Sequence, residues 1–201
     1  MTTSETLMFL DPSTLSETQL ERRQRILSAT QALAIRGGFD GVQMRAVAEK
    51  AEVALGTLYR YFSSKVHLLV ALTYERSVGF LSQLERTPPP EEDPVERVYG
   101  VMIQVTRVLQ QDPSLTEAML RAVMVADASA AAAVDRVNEL VTRILITAYR
   151  GGHAEPTAED ESRARVLEMV WLTSLLAWLS GRASSGQVDE DLWTAARLIL
   201  R

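Results

Sequence analysis

Residues 51–65 read AEVALGTLYRYFSSK. The stretch carries three aromatics, Tyr59, Tyr61 and Phe62, beside an arginine and a closing Ser-Ser-Lys. At about 100° per residue, a helix through it sets Leu55, Leu58 and Phe62 on one face. Gly56, Thr57, Tyr59 and Arg60 fall outward. Tyr61 lies on the boundary, placed to reach along the surface. A helix that only packs has no need of so many polar tips, and this outward set suits a DNA groove. Gly56 lets a backbone approach closely. Thr57 can bond a phosphate or touch a thymine methyl, Arg60 can fork onto guanine or a phosphate, and the tyrosine hydroxyls can anchor on phosphates.

The preceding residues, 43–51, read as a second short helix. Met44, Val47, Ala48 and Ala51 face inward, and Arg45 and Glu49 face out, free to pair with each other or to leave Arg45 for DNA. After residues 55–61, Ser63-Ser64-Lys65 opens a long helix. Its free N–H groups and positive dipole end make a phosphate seat, with Lys65 adding a point charge. Spacing alone does not separate this helix-turn-helix from any packed helix pair.

Charge sharpens the reading. The 201 residues carry a formal net charge of −5, but residues 20–70 hold eight Lys/Arg against four Asp/Glu. A basic segment inside an acidic chain suggests a phosphate-facing part joined to a part with another task.

No stretch alternates with period two, so no strand is expected and the fold is all-α. Ser16-x-x-Gln19 is a capping-box pattern opening the first helix, and Gly37-Gly38 stops it. The long helix ends before TPPPEEDP, residues 87–94, because consecutive prolines cannot stay helical. Further helices are expected near 94–111, 114–125, 129–150, 157–181 and 188–200, separated by Asp112-Pro113, Asp127-Ala128-Ser129, Gly151-Gly152 and Gly186. Residues 1–15 read as a flexible arm. Their apolar run at 7–10 is too short for a membrane span or a signal-peptide core. The chain has no cysteine, which excludes disulfides and thiolate metal sites and fits a cytoplasmic setting.

The segment VQMRAVAEKAEVALGTLYRYFSSKVHLL, residues 42–69, resembles the N-terminal signature of TetR-type transcriptional regulators. The matching positions are Ala48, Ala51, Val53, Gly56, Thr57, Leu58, Tyr59, Tyr61, Phe62, Ser64, Lys65 and Leu68. Two positions depart from the pattern. Gln43 stands where a threonine is usual, which alters a phosphate contact. Glu52 replaces the turn glycine, which costs strain if φ is positive there. The resemblance implies a helix-turn-helix DNA-binding domain over 16–65 and a helical ligand-binding and dimerisation domain over 66–201. The implied DNA-facing set is Gln43, Arg45, Gly56, Thr57, Tyr59, Arg60, Tyr61 and Lys65. With LTEAMLRAVMVADASAAAAVDRV and WLTSLLAWLSGRAS, the same segment also looks like the actinobacterial repressors of cholesterol catabolism. That narrower resemblance implies a steroid-derived acyl-CoA thioester as inducer.

In the C-terminal part, Met102, Val105, Met119, Val123, Met124, Leu145, Trp171, Leu175 and Trp178 offer large apolar groups at helical spacing. They are the candidate lining of an adaptable apolar pocket, although a plain core role explains any one of them better. Arg107, Arg121, Arg143 and Arg150 are candidates for the mouth of a CoA site. The last two helices, rich in Leu, Trp and Ala, would expose a broad apolar face in a monomer, which marks a homodimer interface suited to palindromic double-stranded operator DNA.

No P-loop, GxGxxG after a strand, HExxH or cysteine nucleophile is present, so neither enzymatic activity nor a cofactor is expected. His67 and His153 lack evident metal-ligand companions, and His67 reads as a helix-surface or cap residue. Three readings stay open: a repressor released by a steroid-type acyl-CoA, a TetR-type regulator answering a fatty acyl-CoA or another apolar compound, and an all-helical lipid-binding or interaction module.

Overall fold

The computed structural model describes residues 15–151 and 156–201. The expected arm, Leu15 apart, and His153 lie outside them. Nine α-helices and no strand occur among the described residues: α1 Glu17–Gly41, α2 Met44–Lys50, α3 Leu55–Tyr61, α4 Lys65–Arg86, α5 Pro94–Gln111, α6 Pro113–Met124, α7 Ala131–Arg150, α8 Ala158–Leu179 and α9 Ser185–Ile199.

Local chemistry sets the boundaries. The Ser16–Gln19 capping box forms: the Ser16 N–H donates to Gln19 Oε1 at 2.9 Å, and the Gln19 N–H to Ser16 Oγ at 3.4 Å. Gly37 and Gly38 break α1 as expected, with Gly38 at φ 58° and ψ −154°, and one helical turn resumes to Gly41. That conformation is open almost only to glycine. A Cβ on Gly38 would also lie 2.8 Å from Glu117 Oε2.

Two starts differ from the sequence expectation. α7 begins at Ala131 rather than 129, because Asp127 Oδ1 accepts from the Ser129 N–H at 2.9 Å and hydroxyl at 2.6 Å, making a turn first. The Ser129 hydroxyl chiefly holds the Asp127 carboxyl below its ordinary range. α9 begins at Ser185 because Ser184 caps it, accepting from the Gln187 N–H at 3.1 Å. Gly186 therefore lies inside the first turn instead of ending a loop.

The chain forms two compact units. One comprises the described residues up to Arg76 with Asp112–Val137; the other comprises Ser77–Gln111 with Asn138–Arg201. In the first, α1 packs on α6 and on α2, and α2 on α3. Ile26, Val42, Val47, Leu58, Phe62, Leu68 and Leu69 are fully buried there. Each such side chain contributes about 2 kcal/mol by leaving water. Arg23 is buried with them, its Nη1 2.7 Å from Glu75 Oε1.

In the second unit, α9 packs on α8 and α5. Tyr99 meets Trp193 edge-on, ring centroids 5.1 Å apart. The buried Trp171 indole donates to Thr106 Oγ1 at 2.8 Å, which satisfies both polar groups. Arg97 donates to four carbonyls, those of Glu91, Glu92, Ala148 and Tyr149, at 2.6–3.0 Å. One side chain thus ties the linker after α4 to the orphan carbonyls ending α7. Arg150 pairs with Asp160, which also closes a capping box with Thr157. Burial pushes the Asp160 carboxyl up, but Arg150 and Thr157 outweigh it and hold the group below its ordinary value. The opposite side of α8 is a stripe of apolar groups left open in one chain, with Val166 and Met169 exposed and Leu172 and Leu176 half-buried.

Candidate nucleic-acid interface

α2 and α3 present the residues that the sequence singles out. Gln43 sits at the N-cap of α2 and donates through Nε2 to the Asp40 carbonyl at 2.8 Å. Gln43, Arg45, Gly56, Tyr59 and Arg60 are exposed, and Thr57 is half-buried. Nothing lies within 4 Å of a Cβ built on Gly56, so its surface is open to an approaching backbone. Arg45 and Glu49 do not pair with each other, although they stand one turn apart.

Tyr61 needs correction. It is 5 % exposed, more deeply buried than Leu55, and its ring leans on Phe62 with centroids 6.3 Å apart. The expected face counts Phe62 as helical. In the structure Phe62 has left the helix, with φ −140° and ψ 114°. The buried face of α3 accordingly turns towards Tyr61, which does not run along the surface.

The turn between α2 and α3 carries Glu52 at φ 54°. The Val53 N–H donates to the Ala48 carbonyl at 3.0 Å and the Glu52 N–H to the Glu49 carbonyl at 3.1 Å. This is a Schellman closure of α2 with a glutamate in the left-handed position that glycine normally takes. Glu52, Lys50, Arg23, Arg25 and Glu75 help to line an open groove of about 950 Å³ beside α1, which none of the candidate ligand residues borders.

Lys65 opens α4 but is not extended into solvent. Its Nζ lies 3.4 Å from the Phe39 carbonyl, 3.9 Å from Asp40 Oδ1 and 4.0 Å from the centre of the Phe39 ring. Arg121 of α6 covers the same ring at 4.6 Å. Arg121 also donates through Nη1 to Asp40 Oδ2 at 3.0 Å and to Glu117 Oε1 at 3.4 Å. The Asp40 bond is the largest influence raising the Arg121 pKa. Glu117 Oε2 accepts from the Phe39 N–H at 3.0 Å. Sequence reading missed this cluster because, the i,i+4 pair Glu117 and Arg121 apart, its members come from distant parts of the chain, Asp40 and Arg121 lying 81 residues apart.

His67 is buried rather than on the helix surface. Its Nε2 faces the Ser129 carbonyl at 3.1 Å, and its Nδ1 faces Ser64 Oγ at 2.9 Å. A carbonyl only accepts, so Nε2 carries the proton. Ser64 also accepts from the His67 N–H at 3.4 Å, so the expected link to the helix cap is present.

The candidate ligand residues divide. Met102, Met119, Leu145, Trp171 and Leu175 are buried as core; Val105, Val123 and Trp178 are half-buried. Met124 is 52 % exposed at the end of α6, so in this chain it lines no enclosed pocket. Leu145 borders a cavity of about 10 Å³ with Val98, Tyr149, Asp160, Arg163 and Leu167, room for about one water. Of the arginines considered for a CoA site, Arg121 and Arg150 are engaged as described, Arg143 lies 3.7 Å from Glu85, and Arg107 is exposed. Among the described residues no helix is long and apolar enough to cross a membrane, and no group of three His, Asp or Glu is placed to hold a metal ion.

Comparison with known proteins agrees with this arrangement. Residues 26–72 match the model of bacterial regulatory proteins of the tetR family, and residues 92–199 that of the tetracyclin repressor-like C-terminal domain. The chain is 50 % identical over 185 residues to the HTH-type transcriptional repressor KstR of Rhodococcus jostii, covering 92 % of this chain and 85 % of that one. KstR of Mycobacterium tuberculosis is 46 % identical over 185 residues, covering 92 % and 83 %. A TetR transcriptional regulator from Rhodococcus sp. RHA1 superposes with a TM-score of 0.84 at 33 % identity, covering 92 % and 98 %. Thermus thermophilus FadR in complex with lauroyl-CoA shares the fold, with a TM-score of 0.70 at 23 % identity, covering 89 % and 93 %. The chain thus belongs to the TetR family of helix-turn-helix, DNA-binding transcription regulators and is a KstR-like repressor by its similarity over nearly its whole length.

Proposed function

We propose that two copies of this chain bind a palindromic operator in the cytoplasm and repress genes of steroid catabolism, and that a steroid-derived acyl-CoA thioester releases them. The observation that carries the reading is the 46–50 % identity to KstR repressors across nine-tenths of the chain, joined to a helix α3 whose outward face is Gly56, Thr57, Tyr59 and Arg60. Residues 16–65 do the DNA binding; residues 66–201 take the ligand and pair the two copies.

Gly56 and Thr57 enter the groove, Arg60 and Arg45 read bases or phosphates, and Gln43, Tyr59 and Lys65 hold the backbone. Dimerisation runs through α8 and α9, supported by the open apolar stripe of Val166, Met169, Leu172 and Leu176. Pairing sets the two recognition helices about one DNA turn apart, roughly 34–36 Å. The inducer favours a state in which that spacing is lost, and it acts only through its unequal affinity for the two states. To enter a core as tight as that around Met102, Leu145 and Trp171, it must part those side chains.

Operator release titrated with a steroid-CoA thioester, a fatty acyl-CoA and the free steroid tests the inducer. Release by the first at the lowest concentration is expected. Preferential release by the fatty acyl-CoA transfers to this chain the ligand class of the FadR complex. On the DNA side, Lys65→Ala should weaken binding to every duplex and lower the salt slope by about 1, the share of a single phosphate. Arg60→Ala should also relax preference among sequences.

A further inference from the structure

Lys65 is held in a setting that its proposed role on DNA must compete with. Among the described residues its ammonium meets the Phe39 carbonyl, the Phe39 ring and the Asp40 carboxylate. The carbonyl and the ring are weak rivals for a phosphate. The carboxylate is a strong one, yet at 3.9 Å it is beyond hydrogen-bond length from Lys65. Its other oxygen bonds Arg121 at 3.0 Å. Arg121 in turn is held by Glu117, which also accepts from the Phe39 backbone, and the missing Cβ of Gly38 leaves room for that carboxylate. Asp40 is an exposed side chain in the last helical turn of α1, and these two cations direct it.

We propose that Asp40 and Arg121 are positioning residues for Lys65: Arg121 of α6 keeps the Asp40 carboxylate occupied and so leaves Lys65 available to an operator phosphate. When the Arg121–Asp40 pair is broken, the carboxylate turns to Lys65 and withdraws it from DNA. A shift of α6 against the end of α1 would therefore register directly in the charge that the DNA-facing domain offers. The inference rests on the reading of Lys65 as a phosphate ligand.

A double-mutant cycle tests it. Affinity for a palindromic duplex, selected by the wild-type protein from a random-sequence pool, is measured across a KCl series for wild type, Arg121→Gln, Asp40→Asn, the double variant and Lys65→Gln. Thermal melting checks that each variant folds, and Asp40→Ala replaces Asp40→Asn if that variant melts early. Arg121→Gln should weaken binding about five-fold and flatten the salt slope; Asp40→Asn should bind more tightly than wild type. In the Asp40→Asn background, Arg121→Gln should have no effect. Equal weakening in both backgrounds would overturn the proposal, because Arg121 would then act on DNA or on packing by itself. No weakening by Arg121→Gln would overturn it too. The underlying reading is separable: unchanged binding by Lys65→Gln removes the phosphate role itself, whereas weakened binding with no coupling in the cycle removes only the roles of Asp40 and Arg121.

Discussion

Glu52 shows how a single side chain is held against its own preference. Its left-handed φ costs about 1–2 kcal/mol relative to ordinary backbone. It persists because the two Schellman hydrogen bonds and the buried Val47, Ala48 and Ala51 determine the turn around it. Glu52→Gly should raise stability by about 0.5–1 kcal/mol, seen as a melting temperature several degrees higher. Glu52→Ala is the control, since it removes the charge and keeps the strained conformation. If alanine stabilises as much as glycine, charge and not backbone strain is what limits the turn. The strain was legible in the sequence, because the glycine of the resembling family is missing at this position. Tyr61 was not, because its burial depends on where α3 stops.

At the scale of an element, α8 buries one side against its unit through Ala164, Leu167, Trp171 and Leu175 and leaves an apolar stripe on the other. Glu168 lies between these faces, and burial pushes its carboxyl up to about 7. The sign follows from linkage. The folded value lies above the ordinary 4.5, so this group favours folding fully below pH ~4.5 and loses that contribution as pH rises towards 7. Glu168→Gln, which stays neutral throughout, should match wild type at pH 4.5 and exceed it at pH 8. The gain should be about 1 kcal/mol, well below the full shift because the carboxyl is partly open to solvent. Chemical denaturation at the two pH values measures it; an equal difference at both would sink the assignment. Helix positions were readable from caps and prolines, but how deeply the Glu168 carboxyl is buried depends on packing and was not.

For the whole molecule, the open stripe on α8 is the proposed dimer interface. Two-fold pairing uses each side chain twice, so one substitution acts twice. Met169→Arg should raise the dimer dissociation constant by at least about thirty-fold, the loss of one interface hot spot. The chain should stay folded, because Met169 is exposed within it. Analytical ultracentrifugation reads the state of association, and operator binding should fall with it. A Met169→Arg protein that remains dimeric would move the interface elsewhere.

From sequence alone came the all-helical plan, the capping box at Ser16, the stop at Gly37-Gly38, the linker of prolines and the split of α3 into a buried and an outward side. These are local: backbone preferences, caps and a 3.6-residue period act within a few residues. The tertiary structure decided what depends on distant parts of the chain. It placed Tyr61 and His67 inside, joined Arg121 to Asp40 beside Lys65, and packed Met102, Leu145 and Trp171 into a tight core. Such contacts arise only when the chain closes and each buried polar group must find a partner, and no spacing in the sequence encodes which partner that is.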